Sequence, residues 1–145
     1  MYRNLVVALS GTDDSSRVLA HTTELAKATG ARVRVLHVRA VDCVEPTTMG
    51  LVPSAPALVR EENGTAQDVV DRAVGELTAA GVDAQGDIVE AMRAEVASTV
   101  CELAEAGGAD LIVVGEHQGG LLTALVGSTG ERVARLCSVP VLLVP

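Results

Sequence analysis

The sequence predicts an α/β domain with a doubly wound, five-stranded, mainly parallel sheet and helices on both faces. Three observations predict it. Continuous apolar runs of strand length occur at residues 4–10 (NLVVALS), 109–115 (ADLIVVG) and 139–144 (VPVLLV), as in strands buried on both faces. Segments with apolar residues at helical spacing separate the strands, the arrangement of βαβ units with right-handed crossovers. The length, 145 residues, suits a single domain, and folding at that size buries about 70% of the surface the unfolded chain exposes.

The elements follow in order. Residues 4–10 form the first strand, and Gly11, Thr12, Asp13 and Asp14 turn the chain. Val18, Leu19, Thr22, Leu25, Ala26 and Thr29 then recur at helical spacing with Gly30 as the stop, which predicts a helix to about Thr29. Residues 31–38 (ARVRVLHV) are the second strand. Pro46, Gly50, Pro53 and Pro56 interrupt any period across residues 39–64, which read as a long connection. Thr65 and Asp68 stand at capping-box spacing, and Ala66, Val69, Val70, Ala73 and Leu77 carry a second helix to Gly81. A third strand falls at 83–90, interrupted by Gly86, and a third helix over 94–107 presents Val96, Val100, Leu103 and Ala104 on one face. The runs at 109–115 and 139–144 are strands four and five, with a glycine-bearing loop and a short helix over 129–137 between them.

Composition narrows the function. Hydrophobic residues make up 48% and charged residues 21%, the balance of an ordinary globular chain. Tyr2 is the one aromatic residue, so the core is aliphatic. Eleven basic against 19 acidic residues give a net charge of −8. That sign repels phosphate backbones and the stacking platform is missing, so no nucleic acid is expected as a partner. The apolar run after Met1 is too short for a secretory signal and no stretch is long enough to span a membrane, which gives the expectation of a cytoplasmic protein. Cys43, Cys101 and Cys137 are odd in number and lack C-x-x-C spacing. They read as reduced thiols that fill the interior.

Ligands of open parallel sheets bind beyond the carboxyl ends of the strands. Two loops fall at such ends, residues 10–15 after strand one and 115–128 after strand four. In the second, glycines let backbone amides approach an anion, and Gly127 and Ser128 open a helix whose first amides favour phosphate. Ser128 and Glu131 also form a capping box, which needs no ligand.

Over its whole length the chain resembles the universal stress proteins. The likeness lies in VVALSGTDDSSRVLAHTTELAKATGARVRVLHV, in ADLIVVGEH and in GSTGERVARLCSVPVLLVP. The resemblance implies a Rossmann-like domain of the adenine nucleotide alpha hydrolase type that commonly dimerises and in one subgroup holds ATP. It assigns Gly115, Gly119, Gly127 and Ser128 to phosphate, His117 to the same loop, Val38 to adenine and Ser10 to the neighbourhood of the nucleoside, and adds Ala8 and Thr129 to the nucleotide-binding residues. ATP or AMP is then the implied ligand, with Mg2+ only alongside ATP. The chain departs from the family pattern at Gln118, where the second glycine belongs, and at Ser10, where ATP-binding members typically have an aspartate. Ala94 replaces a frequent glycine, and the stretch from Gly115 to Gly127 is one residue shorter than the family's.

Two other readings stand beside this one. Ser10, Gly11, Thr12, Asp13, Asp14 and Ser15 resemble the phosphate loop of ATP pyrophosphatases, which makes a pyrophosphatase-like or slow ATP-hydrolysing enzyme the alternative. A dimeric scaffold without nucleotide is the third. No residue is assigned a catalytic role and none a metal: His21 reads as solvated, His37 as a hydrogen-bonded structural histidine, and Arg132 and Arg135 as a solvated face. A homodimer is expected through residues 139–144, an uncharged terminal strand that would leave an unpaired apolar edge.

Overall fold

The structure, a computed structural model, describes residues 1–10, 15–44, 57–60, 63–116 and 129–145. Strand β1 (Asn4–Ala8) leads to helix α1 (Ser15–Thr29), β2 (Arg32–Val44), β3 (Ala57–Arg60), α2 (Asn63–Ala79) and β4 (Ala84–Met92). A 3-10 turn, Arg93–Glu95, enters α3 (Val96–Ala106), followed by β5 (Leu111–Gly115), α4 (Thr129–Leu136) and β6 (Val141–Val144). Five strands run parallel in the order β4-β2-β1-β5-β6. The predicted doubly wound architecture is therefore present, with one antiparallel addition.

That addition corrects the reading of residues 39–64 as a connection. β2 continues to Val44, and β3 pairs with its outer half antiparallel. Val41 faces Met92 of β4 on one edge and Arg60 of β3 on the other, so β3 occupies the edge that β1 fills lower down. The prolines that break the period all lie beyond Val44, so nothing in residues 39–44 opposes the continuation of the strand. The second helix also begins earlier, at Asn63, which puts Thr65 and Asp68 inside α2 rather than at its cap.

Alternation sorts the side chains of each strand onto two faces. Leu5, Val7, Val33, Val35 and Val113 pack under α1 and α2, with Val18, Leu19, Ala73 and Leu77. Val6, Ala8, Leu36, Ile112 and Val114 pack under α3 and α4, with Ala97, Val100, Ala104 and Val133. Both layers are aliphatic, as the composition requires. Gly86 does not weaken β4 but lets α2 lie close on it: a Cβ there would collide with Cγ1 of Val70. Gly30, at φ +71°, ends α1 in the left-handed conformation that an L side chain resists. At the other end of β1, the Asp110 carboxylate accepts from the amides of Arg3 (2.7 Å) and Asn4 (3.1 Å), pinning β1 to the start of β5.

Cys101 and Cys137 form a disulfide. This corrects the reading of both as free thiols. Their separation of 36 residues carries no pairing signal, but α3 and α4 lie side by side and bring the Cα atoms to 5.2 Å, within bonding reach. Among the described residues, no helix is long and apolar enough to cross a membrane.

Candidate functional site

Strand order reverses between β1 and β5: the chain proceeds outward through β2 and β4, then returns to the other side of β1 for β5 and β6. A crevice beyond the carboxyl ends at such a point is where doubly wound sheets hold ligands. Ala8 closes β1 and faces Leu36 on β2 and Val114 on β5. Val38 lies two residues further along β2, and Gly115 one further along β5. Ser10 lies two residues beyond the end of β1, after Leu9, whose amide still donates to the Leu36 carbonyl at 3.0 Å.

Ala8 and Val38 belong to the apolar layer shared by α3 and α4, so their side chains lie on one face of the sheet. Thr129 begins α4 on that face. A Cβ on Gly130 would strike the Gly115 carbonyl and come within 3.0 Å of Cδ2 of Leu143. Only a glycine permits this approach, so the first turn of α4 sits directly on the end of β5. Of the residues singled out from the sequence, the fold thus brings Ala8, Ser10, Val38, Gly115 and Thr129 to one end of the sheet. His117, Gln118, Gly119, Gly127 and Ser128 lie outside the described residues, as do Gly11, Thr12, Asp13 and Asp14. Gly130 is the residue that sequence reasoning missed. Its signal was available in the Ser-Thr-Gly order after Gly127, but a close approach is visible only once β5 and α4 are juxtaposed.

The surroundings are ordered by polar contacts. His37, 1% exposed, places Nδ1 2.7 Å from the Leu9 carbonyl. A carbonyl oxygen only accepts, so Nδ1 carries the hydrogen and ties the exit of β1 to β2. The structural role expected for His37 is the observed one, and His21 is exposed. Arg132 does more than the sequence suggested: on an exposed part of the surface its Nη2 donates to the Ala94 carbonyl at 2.9 Å, joining α4 to the turn before α3. Ala94 lies in that 3-10 turn and is exposed.

A separate cleft of about 260 Å3 opens between α1 and α2, floored by Leu9, Leu19 and Ala73 and rimmed by Ser15, Asp68 and Arg72. It touches none of Ala8, Val38, Gly115 or Thr129. Ser15, the last residue of the pyrophosphatase-like loop, is therefore on the face opposite to Val38. Among the described residues, no group of three His, Cys, Asp or Glu side chains could hold a metal ion.

Comparison with known proteins agrees with this fold. The model of the family described as "Universal stress protein family" matches residues 1–145. A universal stress protein of Methanocaldococcus jannaschii is 31% identical over 146 residues, covering 99% of this chain and 82% of the relative. One from Bacillus subtilis is 27% identical over 150 residues and covers 99% of both. Among solved structures, that of a universal stress protein in complex with cAMP superposes with a TM-score of 0.72 at 25% identity, over 99% of this chain and 96% of the other.

Proposed function

The chain belongs to the universal stress protein family, and we propose that it is a binding module for an adenine nucleotide, ATP or AMP, rather than an enzyme. One observation carries the reading: Ala8, Val38 and Gly115 share the carboxyl end of the sheet with the first turn of α4, seated on the Gly115 carbonyl through Gly130. An apolar strand end beside the first turn of a helix offers a purine ring one surface and its phosphates another. The cAMP complex of a relative at 25% identity supports the choice of nucleotide. On this reading Val38 lies against the base, Ser10 near the ribose, and Gly119, Gly127, Ser128 and Thr129 about the phosphates, with His117 in the same loop. Mg2+ enters only with ATP. Ser10 offers one hydroxyl where a carboxylate would accept two hydrogen bonds, which holds the affinity to a modest value.

Titration calorimetry tests it. ATP or AMP should bind with Kd between about 1 μM and about 1 mM, and Val38→Glu should remove the heat while the thermal melt persists. Absence of heat with both nucleotides at millimolar concentration overturns the proposal in favour of a scaffold. Pyrophosphate release that disappears in Ser15→Ala would instead establish the enzyme.

A further inference from the structure

Resting on that nucleotide reading, we infer that Cys101 and Cys137 are a thiol-disulfide exchange site whose state sets how firmly the first turn of α4 is held over β5, and through it the affinity for nucleotide.

The argument starts from how little else holds α4. The helix is eight residues long, and of these only Gly130 and Val133 are buried, while Leu136 is 56% exposed. Helices this short are marginal in water, so packing and tethers must fix them. α3 is the opposite case: Ala97, Val100, Cys101 and Ala104 are all buried, which makes it the fixed reference. Beyond the apolar packing of Val133, three ties among the described residues join the two. Arg132 donates to the Ala94 carbonyl, Ser138 donates through its amide (3.1 Å) and its hydroxyl (2.7 Å) to Oε1 of Glu105, and the disulfide joins Cys101 to Cys137. The hydrogen bonds are exposed, so water replaces them at little cost. The covalent bond is the tie water cannot replace, and it sits at the opposite end of α4 from the turn seated on Gly115.

Exposure also makes the bond exchangeable. Cys101 is 5% exposed and lies in the core, whereas Cys137 is half-buried at the junction of α4 with β6. A reductant of the dithiol class therefore attacks the Cys137 sulfur as a thiolate. A mixed disulfide forms and the Cys101 sulfur leaves as a thiolate that takes a proton. The second thiol of the reductant, as a thiolate, then attacks its own sulfur in the mixed disulfide and releases the Cys137 thiolate, which is protonated in turn. Two electrons pass from the dithiol, which becomes a disulfide, to the pair, which becomes two thiols.

The test uses the full chain in a Cys43→Ser background, oxidised with glutathione disulfide or reduced with dithiothreitol. Two quantities are read: amide hydrogen exchange over Thr129–Leu136, and ATP affinity by calorimetry. Reduction should speed exchange in α4 about ten-fold while Leu111–Gly115 stays protected. It should also weaken ATP binding about five-fold, and re-oxidation should restore both. Cys101→Ser with Cys137→Ser should behave as the reduced form and ignore the reductant; if that variant fails to fold, the oxidised and reduced forms give the same comparison. Equal exchange over α4 in the two states overturns the inference whether or not ATP binds. Alkylation of both cysteines in the oxidised sample does so too. Altered exchange with unchanged ATP affinity overturns the coupling to the site. Altered exchange with no ATP binding in either state defeats the nucleotide reading and supports redox control of α4.

Discussion

At Gly86 a methyl group would drive into Cγ1 of Val70 and stand 3.0 Å from Cγ2 of Val74. Valine is stiff at χ1, so α2 would have to lift from β4. Gly75, within α2, meets nothing within 4 Å of its Cβ position and gains only helix propensity from a methyl. Gly86→Ala should therefore destabilise by about 1–3 kcal/mol, and Gly75→Ala should stabilise by about 0.5–1 kcal/mol, both read from urea midpoints. Opposite signs for one chemical change test the packing of α2 directly. Glu105 supplies a pH test. The hydroxyl of Ser138, then its amide, donates to the carboxylate and holds its pKa below the ordinary value of 4.5. A folded pKa below the unfolded one gives stability present above the unfolded value and lost as pH falls through the folded one. Glu105→Gln should accordingly melt below the wild type near neutral pH, with the gap closing in strongly acidic buffer.

The elements show the same dependence on neighbours. β1 and β5 are buried at Leu5–Ala8 and at Leu111–Gly115, so continuous apolar runs announced them. β4 is half-exposed and carries Asp87 and Glu90, which reach Arg34 (2.5 Å) and Arg39 (2.6 Å) on β2. Gly86 made it a weaker strand to read, whereas its charges are what the partner strand uses. α4 is defined at its start by Gly130. Gly130→Ala should push the first turn off the Gly115 carbonyl and weaken adenine nucleotide at least about ten-fold, since misplacement by about 1 Å at a positioned site costs that much or more. Calorimetry beside far-UV circular dichroism separates this from unfolding: retained affinity would mean that the seat of α4 does not position the ligand.

For the whole molecule, the two edges of the sheet differ. β4 bears ion pairs along its length, a common way of discouraging further pairing. β6 has no charged residue, Leu142 is 39% exposed, and among the described residues only β5 pairs with it. We propose that residues 139–144 meet the same segment of a second copy across a two-fold axis, which would satisfy the open backbone groups and cover the aliphatic surface. Arg17, whose Nη1 donates to the Pro145 carbonyl at 2.8 Å, holds the end of this strand in place. Sedimentation at micromolar concentration should return twice the 14.9 kDa chain mass, and Leu142→Lys should shift it toward the monomer. A wild-type monomer would sink the assignment.

Sequence alone determined the layering of this protein. Periodicity and continuous apolar runs report which side chains must leave water, and that is a local property of the chain. It located β1, α1, β5, α4 and β6 to within a few residues, and family likeness singled out Ala8, Ser10, Val38, Gly115 and Thr129, which lie at one end of the sheet. Tertiary structure decided what depends on distance between remote segments. It extended β2 through Val44 and laid β3 against it, because edge pairing is settled by which neighbour is free. It showed Gly86 as a place of close approach, Gly130 as the seat of α4, and Arg132 as a tether on the surface. It joined Cys101 to Cys137 because covalent pairing follows the spatial approach of α3 and α4, which a separation of 36 residues does not encode.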